Sequence, residues 1–587
     1  MIQKKRLIIL ILLVIGALYF FAFWFPNATG AKDQNMISIF NADEFAQYPN
    51  AVHMLKAGDT WSQSVHNFFA YQHYYYGFPF YFYSVVIALL PAKIIPGIAS
   101  VSWSLLLLRQ MVSVLPMIAA LLLLVYLQTN FDSYLKSILL FLLLLSVPEV
   151  VANDMWWHPE SLVFLFIVLT FFFLVRDGLS VQKNFYIAAF FCGLAVGIKL
   201  VGLFFFLTVP AYLLISWCRK QIDARKGMIA ALFFVAILVA TFALSNPFLY
   251  WASERQKALN IQINQSKAMS VGFVVAYHSQ PLSWIPVITQ QYGSLAFVLL
   301  SLIALLLAVM AKPKRLLNLL IAAWTVPFTL YLFLEIVIRP KHFFLPIALP
   351  VFSALPAYFE YFAVPSFVRP LGAWLRKNTV HLILLLIGFI IIGAQLYSNL
   401  QSDWNNYVDT LNRETTSPSL QFYDTFNQKY LSRLPTDTRF VIYRDVTVYV
   451  PNAVNDMVYY QWGVSGYGYI NKIHADVLLL SKQHLRDYTQ AGQLQTAVDP
   501  NFSDAYHFYK DALDEQVHGY TLIYQDDFGM AYVSTSLYNQ FFQNADLENV
   551  LCQMIRQQSS SMPSAHRLDR WAALSPPFAR TIWRHSL

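Results

Sequence analysis

The feature that most restricts this chain is its series of long apolar runs. A helix needs about 20 mostly apolar residues to cross the hydrocarbon of a bilayer. Runs of that kind fall at residues 7–25, 103–127, 137–152, 160–175, 185–200, 201–217, 228–246, 284–310, 316–337, 342–361 and 379–398. The expected fold is therefore a polytopic α-helical membrane protein with about eleven transmembrane helices. Composition agrees, because 57% of the 587 residues are hydrophobic and 12% are charged, where soluble domains carry nearer a quarter. A net charge of +8 raises the question of nucleic acid. The cations are scattered singly and in pairs between apolar runs, with no polybasic tract, so no nucleic-acid partner is expected. The cysteines Cys192, Cys218 and Cys552 offer neither a disulfide framework nor a zinc-ligand spacing.

Charge bias sets the expected topology. Segment 79–97 is apolar but carries Pro79, Pro91, Pro96 and Gly97, which make a poor uninterrupted helix. Read as an interfacial, juxtamembrane element, it leaves the cationic loops around Lys4, Lys136, Arg176, Arg219, Lys314 and Arg369 all on one side, as the positive-inside rule requires. Loops 26–102, 152–159, 247–283 and 338–342 and the tail from 399 are then expected outside the cytoplasm, with the N-terminus inside. If the chain is bacterial, the membrane is the inner or plasma membrane. The first run lacks an obvious cleavage site and reads as a retained anchor. Beyond residue 400 the chain turns polar, with strand-like runs at 439–450, 475–482 and 519–524. The domain organisation expected is thus a transmembrane unit over 1–400, containing the first outer loop at 26–102, a small C-terminal extracytoplasmic α/β domain over 401–556, and a loose tail over 557–587.

The outer loops hold the polar residues that need a reason. Asp43 and Glu44 stand together in NADEFAQY just after the first run. Their structural reading is helix capping, in which Asn41 or Asp43 accepts backbone N–H groups for about 1 kcal/mol. A second group, Asn153, Asp154, His158 and Glu160, sits in the turn NDMWWHPE. Ionisable groups at that depth are costly and face a cavity or a partner, and the bland alternative for Glu160 is snorkelling to the outer surface. No second histidine stands at a ligand spacing beside His158. No metal or cofactor is therefore indicated, although a divalent ion is compatible. Arg109 and Lys199 lie in apolar runs near the outer side, and Arg339, Lys341 and His342 crowd one short outer loop. Internal ion pairs or contacts with headgroups would account for each cation singly, whereas a bound anion would account for the set. The stretch WSQSVHNFFAYQHYYYGFPFYFY, which includes Tyr76, is richer in aromatics than an interfacial belt requires.

Carboxylates, outward cations and an aromatic loop suit transfer of a sugar from a lipid phosphate to an acceptor hydroxyl. A carboxylate takes the hydroxyl proton, and cations offset charge on the departing phosphate. Adjacent carboxyls cannot flank a glycosidic bond from both sides, which disfavours hydrolysis. No inner loop is long enough for a nucleotide-binding domain and no Gly-rich phosphate loop stands in one. The expected donor is therefore a polyprenyl-phosphate sugar rather than a nucleotide sugar.

The order of motifs resembles the GT-C class of integral-membrane glycosyltransferases, in particular the branch of protein O-mannosyltransferases and lipid A aminoarabinose transferases. The similar segments are NADEFAQY in the first outer loop, YYYGFPFYFYSV, LLRQMVSVLP, WWHPESLVFLF, GLAVGIKLVG and RPKHFFLPIALP, and together they span roughly residues 1–400. The family's juxtamembrane Pro-Pro or Lys-Pro is Phe78-Pro79 here. The resemblance implies an inverting glycosyltransferase with Asp43 as general base and Glu44 beside it. It implies Arg109, Arg339 and Lys341 as donor-phosphate contacts, and Lys199 and His342 fall in the same cationic set. Tyr76, Asp154, His158 and Glu160 are candidate substrate contacts, and the acceptor is a lipid, glycan or protein. Two other classes predict different features. A lipid-linked saccharide flippase or transporter calls for broken helices with ionisable residues near the midplane. A non-catalytic binding protein would use the outer tail alone.

Overall fold

The computed structural model describes residues 2–95, 100–277, 281–311, 314–338, 340–362, 379–433, 435, 439–452 and 457–543. Among these, seven helical segments are long and apolar enough to cross a membrane: Gln3–Asn27, Val101–Thr129, Leu200–Cys218, Ala224–Ser245, Arg315–Leu334, Lys341–Phe362 and Thr379–Lys429. Two bent pairs raise the number to nine if each is one span. Tyr134–Leu145 meets Pro148–Asp154 at 63°, and Trp284–Gln291 meets Leu295–Met310 at 88°. The second bend has a backbone cause, since Gly293 between the two halves adopts φ +140°, where a Cβ would stand 2.7 Å from the Phe297 ring. The remaining two of the eleven runs are also helical but fall short of spans by length or charge. Glu160–Asp177 carries Glu160, Arg176 and Asp177 at its ends, and Lys183–Ile198 has 16 residues.

Segment 79–97 departs from expectation in one respect. Phe78–Ile94 is an unbroken apolar helix, too short for a full span. Pro79 falls in its first turn, where no N–H is needed, and a π-helical turn at Val85–Leu89 precedes Pro91. Pro79 and Pro91 are absorbed at these two points rather than interrupting the helix, and Pro96 and Gly97 lie outside the described residues.

The polar loops sort into two sets. At one end, Lys5 pairs with Asp132 at 3.0 Å, Lys136 with Glu360 at 2.7 Å, and Lys314 reaches Asn130 at 2.7 Å. At the other end, Asn27 donates to the Asp154 carbonyl at 2.9 Å and Tyr74 donates to Glu254 at 2.5 Å. The C-terminal domain joins this second set. Ser38 donates to the Val446 carbonyl at 2.7 Å, Tyr449 donates to Asp33 at 2.7 Å, and Val275 bridges to Ala497. The loops expected together outside the cytoplasm thus share one end of the helices.

Helix Thr379–Thr416 does not stop where its apolar stretch ends. It runs for 38 residues, so the expected boundary near residue 401 lies inside a continuous helix. Beyond it, five strands form one sheet: β1 Val441–Arg444, β2 Met457–Tyr459, β3 Val477–Ser481, β4 Tyr520–Gln525 and β5 Gly529–Ser534, in the order β2-β1-β3-β5-β4. β1 pairs in parallel with β2 and β3, and β5 pairs antiparallel with β3 and β4. The central strand β3 is buried throughout because both faces are covered. Val477 and Leu479 pack with Phe422 and Phe426 of helix Pro418–Lys429, while Leu478 and Leu480 pack with Phe508 and Tyr509 of helix Phe502–Leu513. This is the two-residue alternation of a strand serving two layers. The tail 557–587 lies outside the described residues.

The sorting of loops gives an expected outcome for labelling. In a background without the three native cysteines, Asp132→Cys and Asp487→Cys should react with an impermeant maleimide from opposite sides of the membrane. Labelling of both from one side would contradict the two-ended arrangement.

Candidate functional site

Helix Ala42–His53 opens the site. Its N-cap is Asn41, whose side chain accepts the Glu44 N–H at 3.1 Å. Capping is therefore met without Asp43. Successive residues on a helix point about 100° apart, and here that separates two neighbouring carboxylates completely. Glu44 turns inward and is fully buried, while Asp43 is exposed.

Glu44 is committed to the protein itself. Arg109 grips it bidentately, Nε to Oε1 at 2.8 Å and Nη2 to Oε2 at 2.5 Å, and the Trp157 N–H adds a third bond at 2.6 Å. The remaining arm of Arg109, Nη1, donates to the carbonyls of Asn27 at 2.9 Å and Thr29 at 2.8 Å. Neither side chain has any accessible surface. Arg109, which the resemblance implies for donor phosphate, thus has its guanidinium enclosed and shared among protein acceptors.

Asp43 has the opposite surroundings. Among the described residues its carboxylate takes part in no hydrogen bond or ion pair. It is open to water at its tip yet crowded by protein around it, and both hold for a group in a concave recess. Desolvation by those surroundings pushes its pKa above the ordinary carboxylate range. The Lys199 ammonium opposes the shift, and the Glu44 carboxylate adds to it.

The second half of the site gathers around Glu160, the first residue of helix Glu160–Asp177. Lys199 ends helix Lys183–Ile198 as its C-cap and donates to Glu160 Oε1. The ammonium also lies over the Phe343 ring, 4.5 Å from its centre, and 6.0 Å from the centre of Tyr76. His158 Nδ1 stands 3.8 Å and His342 Nε2 3.7 Å from the same Glu160 oxygen. The ligand-type atoms of His158, Glu160 and His342 lie within 4.8 Å of one another, so among the described residues these three form a group able to hold a metal ion. Tyr76 hydroxyl and His158 Nε2 are 2.7 Å apart, and Trp156 stacks on the His158 ring at 4.0 Å and 11°. Burial first, then the positive character of His342 and Lys199, lowers the His158 pKa and keeps that ring neutral. The Tyr76 hydroxyl is pushed up by burial and then by the charges of Asp43 and Glu160, which ties both halves to one place.

Two further predicted residues border this group. Lys341 is about half exposed and stands 3.8 Å from Glu149, whose side chain is buried and accepts no hydrogen bond. Asp154 belongs to a separate knot, accepting from Tyr19 at 2.9 Å and Asn153 at 3.2 Å. Arg339 lies outside the described residues. The structure thus brings together Asp43, Tyr76, His158, Glu160, Lys199 and His342, with Lys341 beside them, and encloses Glu44 and Arg109 beneath. Glu149 was missed from sequence, although a carboxylate in the run LLLLSVPEVV carries the same cost signal as Glu160. Trp157 was missed because its contribution is a backbone N–H.

No protein-family model and no curated protein matches the sequence. Among solved structures the chain is similar to ArnT from Cupriavidus metallidurans bound to undecaprenyl phosphate, at TM-score 0.44 and 10% identity over 89% of this chain and 97% of that one. The apo form of the same protein gives TM-score 0.44 and 11% identity over the same shares. The archaeal oligosaccharyltransferase AglB from Archaeoglobus fulgidus, in complex with an inhibitory peptide and a dolichol-phosphate, gives TM-score 0.42 and 12% identity over 90% of this chain and 74% of that one.

Breaking a buried ion pair by removing one partner leaves an uncompensated charge and costs about 3–5 kcal/mol. Glu44→Gln and Arg109→Met should each lower the unfolding temperature in detergent, and the double variant should lose less than the sum of the two. Additive losses would mean that the pair does not act as a unit.

Proposed function

We propose that the protein is an inverting glycosyltransferase that moves a sugar from a polyprenyl-phosphate donor to an acceptor hydroxyl, with Asp43 as general base, on the extracytoplasmic face of the membrane. The observation that carries this reading is the isolation of Asp43. Glu44, Asp154 and Glu160 are all held by protein partners. Asp43 alone among these four is accessible, without a partner, and close enough to Lys199 to feel its charge.

The chemistry follows from that arrangement. The Asp43 carboxylate accepts the proton of the acceptor hydroxyl as the oxygen forms its bond to the anomeric carbon. The bond from that carbon to the phosphate oxygen breaks, and its electron pair leaves with the polyprenyl phosphate. Negative charge thus grows on the phosphate, and Lys199 and Lys341 are the cations assigned to it. Both side chains retain accessible surface, 19% and 49% respectively. Arg109 takes a different role from the one implied by the resemblance. It fixes Glu44 and so orients the helix turn that presents Asp43. Tyr76, held by His158, closes the side of the recess nearest both carboxylates. A transporter has no comparable need for a partnerless carboxylate at the rim, and a tail-only binding protein leaves it without a role.

General-base catalysis contributes about 10²–10⁴-fold. Asp43→Asn should therefore reduce release of polyprenyl phosphate by at least about 100-fold, while its melting temperature and its binding of the lipid phosphate stay close to wild type. Turnover unchanged in this variant would end the assignment. The pH profile supplies a second check. A base acts when ionised, so activity should fall as pH drops through a pKa displaced above the ordinary value of about 4. Lys199 lowers the Asp43 pKa, so Lys199→Met should move that acidic limb to higher pH. A limb that stays in place would separate Lys199 from the base.

A further inference from the structure

His158, Glu160 and His342 come from two distant parts of the chain and converge on one oxygen. The distances to Glu160 Oε1, 3.8 Å from His158 Nδ1 and 3.7 Å from His342 Nε2, are too long for hydrogen bonds. They are close to what an ion would require. Metal–nitrogen and metal–oxygen bonds of about 2.0–2.2 Å at tetrahedral angles put ligand atoms roughly 3.3–3.5 Å apart. Each of these two distances therefore needs only a few tenths of an ångström of closure, and all three ligand atoms already lie within 4.8 Å of one another.

Two independent observations point to a ligand at this spot. His158 Nδ1 is a fully buried ring nitrogen with no hydrogen-bond partner among the described residues, and it stands 3.8 Å from the Glu160 carboxylate. The other nitrogen of the same ring is held by the Tyr76 hydroxyl at 2.7 Å while Trp156 stacks on its face, which is how an outer shell fixes the orientation of a ligating imidazole. A third feature marks the place as built for positive charge. The Lys199 ammonium already sits on Glu160 Oε1.

We infer that His158, Glu160 and His342 form a binding site for a divalent transition-metal ion of the zinc class, in which the ion displaces Lys199 from Glu160. Two imidazoles and one carboxylate form a nitrogen and oxygen set suited to that class, and three protein ligands leave a fourth position open. With the ion bound, Nδ1 of His158 offers its lone pair and Nε2–H donates to Tyr76. Lys199, released from Glu160, keeps its position over Phe343 and turns its charge toward Asp43. Metal occupancy and the Lys199–Glu160 pair are thus mutually exclusive. This inference concerns binding and does not depend on the transferase reading.

Zinc binding to the full-length protein in detergent tests it, read by competition with a chromophoric chelator and by metal analysis after gel filtration. One equivalent is expected in wild type. His158→Ala and His342→Ala should each weaken binding by 100-fold or more, and Tyr76→Phe by about 10- to 100-fold as an outer-shell change. Lys199→Met should strengthen binding, because a competing cation is gone. This result distinguishes the site from adventitious zinc. X-ray absorption of the zinc-loaded wild type should show only nitrogen and oxygen neighbours near 2.0–2.1 Å with imidazole scattering, a readout that survives if a histidine variant fails to fold. Stoichiometry unchanged in both histidine variants, sulfur in the first shell, or affinity unchanged by Lys199→Met would overturn the inference.

Discussion

The buried pair of Glu44 and Arg109 is the interaction on which the rest of the site depends. Two charges removed from water are tolerated only where geometry is good and the remaining donors and acceptors are satisfied. Here Arg109 makes four hydrogen bonds, and Glu44 accepts a fifth from the Trp157 backbone. Four segments meet at this point: the end of the first helix at Asn27 and Thr29, the helix Ala42–His53, the π-helical turn of Val101–Thr129, and the loop before Glu160. The consequence for chemistry is indirect but strict. With Glu44 pinned inward, helix geometry leaves its neighbour Asp43 only the outward direction, toward the recess that Tyr76 and Lys199 border.

The C-terminal domain acts on the same helix from above. Arg444, at the end of β1, is fully buried, and its guanidinium lies over the adjoining rings of Phe45 and Tyr460, 5.6 and 5.5 Å from their centres, which are themselves 5.0 Å apart. Nη1 donates to Ser38 and to the carbonyls of Val446 and Val448. Burial lowers its pKa to about 10, which leaves it charged at neutral pH, and the electron-rich ring faces are the partners offered to its other donors. Phe45 directly follows Glu44, so one short helix is held by an ion pair at Glu44 and a cation–π contact at Phe45. The C-terminal domain therefore helps to set the position of the helix that carries Asp43.

Much of this was legible in the sequence because it rests on composition and local chemistry. The apolar runs gave the helices, and the cost of charge at membrane depth singled out Asp43, Glu160, Arg109, Lys199 and the RPKH loop. The strand runs at 475–482 and 519–524 became β3 and β4, whereas Met457–Tyr459 and Gly529–Ser534 went unseen because short strands carry little periodic signal. Two of the eleven expected runs are helical without the length or composition of a full span among the described residues, as at Lys183–Ile198 with its 16 residues. The sequence could not assign partners. Which of two adjacent carboxylates turns inward is decided by a guanidinium on another helix, and the meeting of His158 with His342 is a product of tertiary packing alone.

The partners also explain why arginine and lysine divide as they do around this recess. A planar guanidinium with five fixed donors suits a site built of fixed partners, and both arginines are fully buried in one: Arg109 among carboxylate and carbonyl oxygens, Arg444 among oxygens on one arm and ring faces on the rest. An ammonium on a flexible stem holds one partner loosely and can leave it. Lys341 stands 3.8 Å from Glu149, and Lys199 divides its charge among Glu160, the Phe343 ring and Asp43. In the proposed reaction the phosphodiester of the donor becomes a polyprenyl phosphate monoester, and the added negative charge calls for cations that are not already shared among protein acceptors. The two arginines therefore build the frame, while the two lysines, each with accessible side-chain surface, border the site.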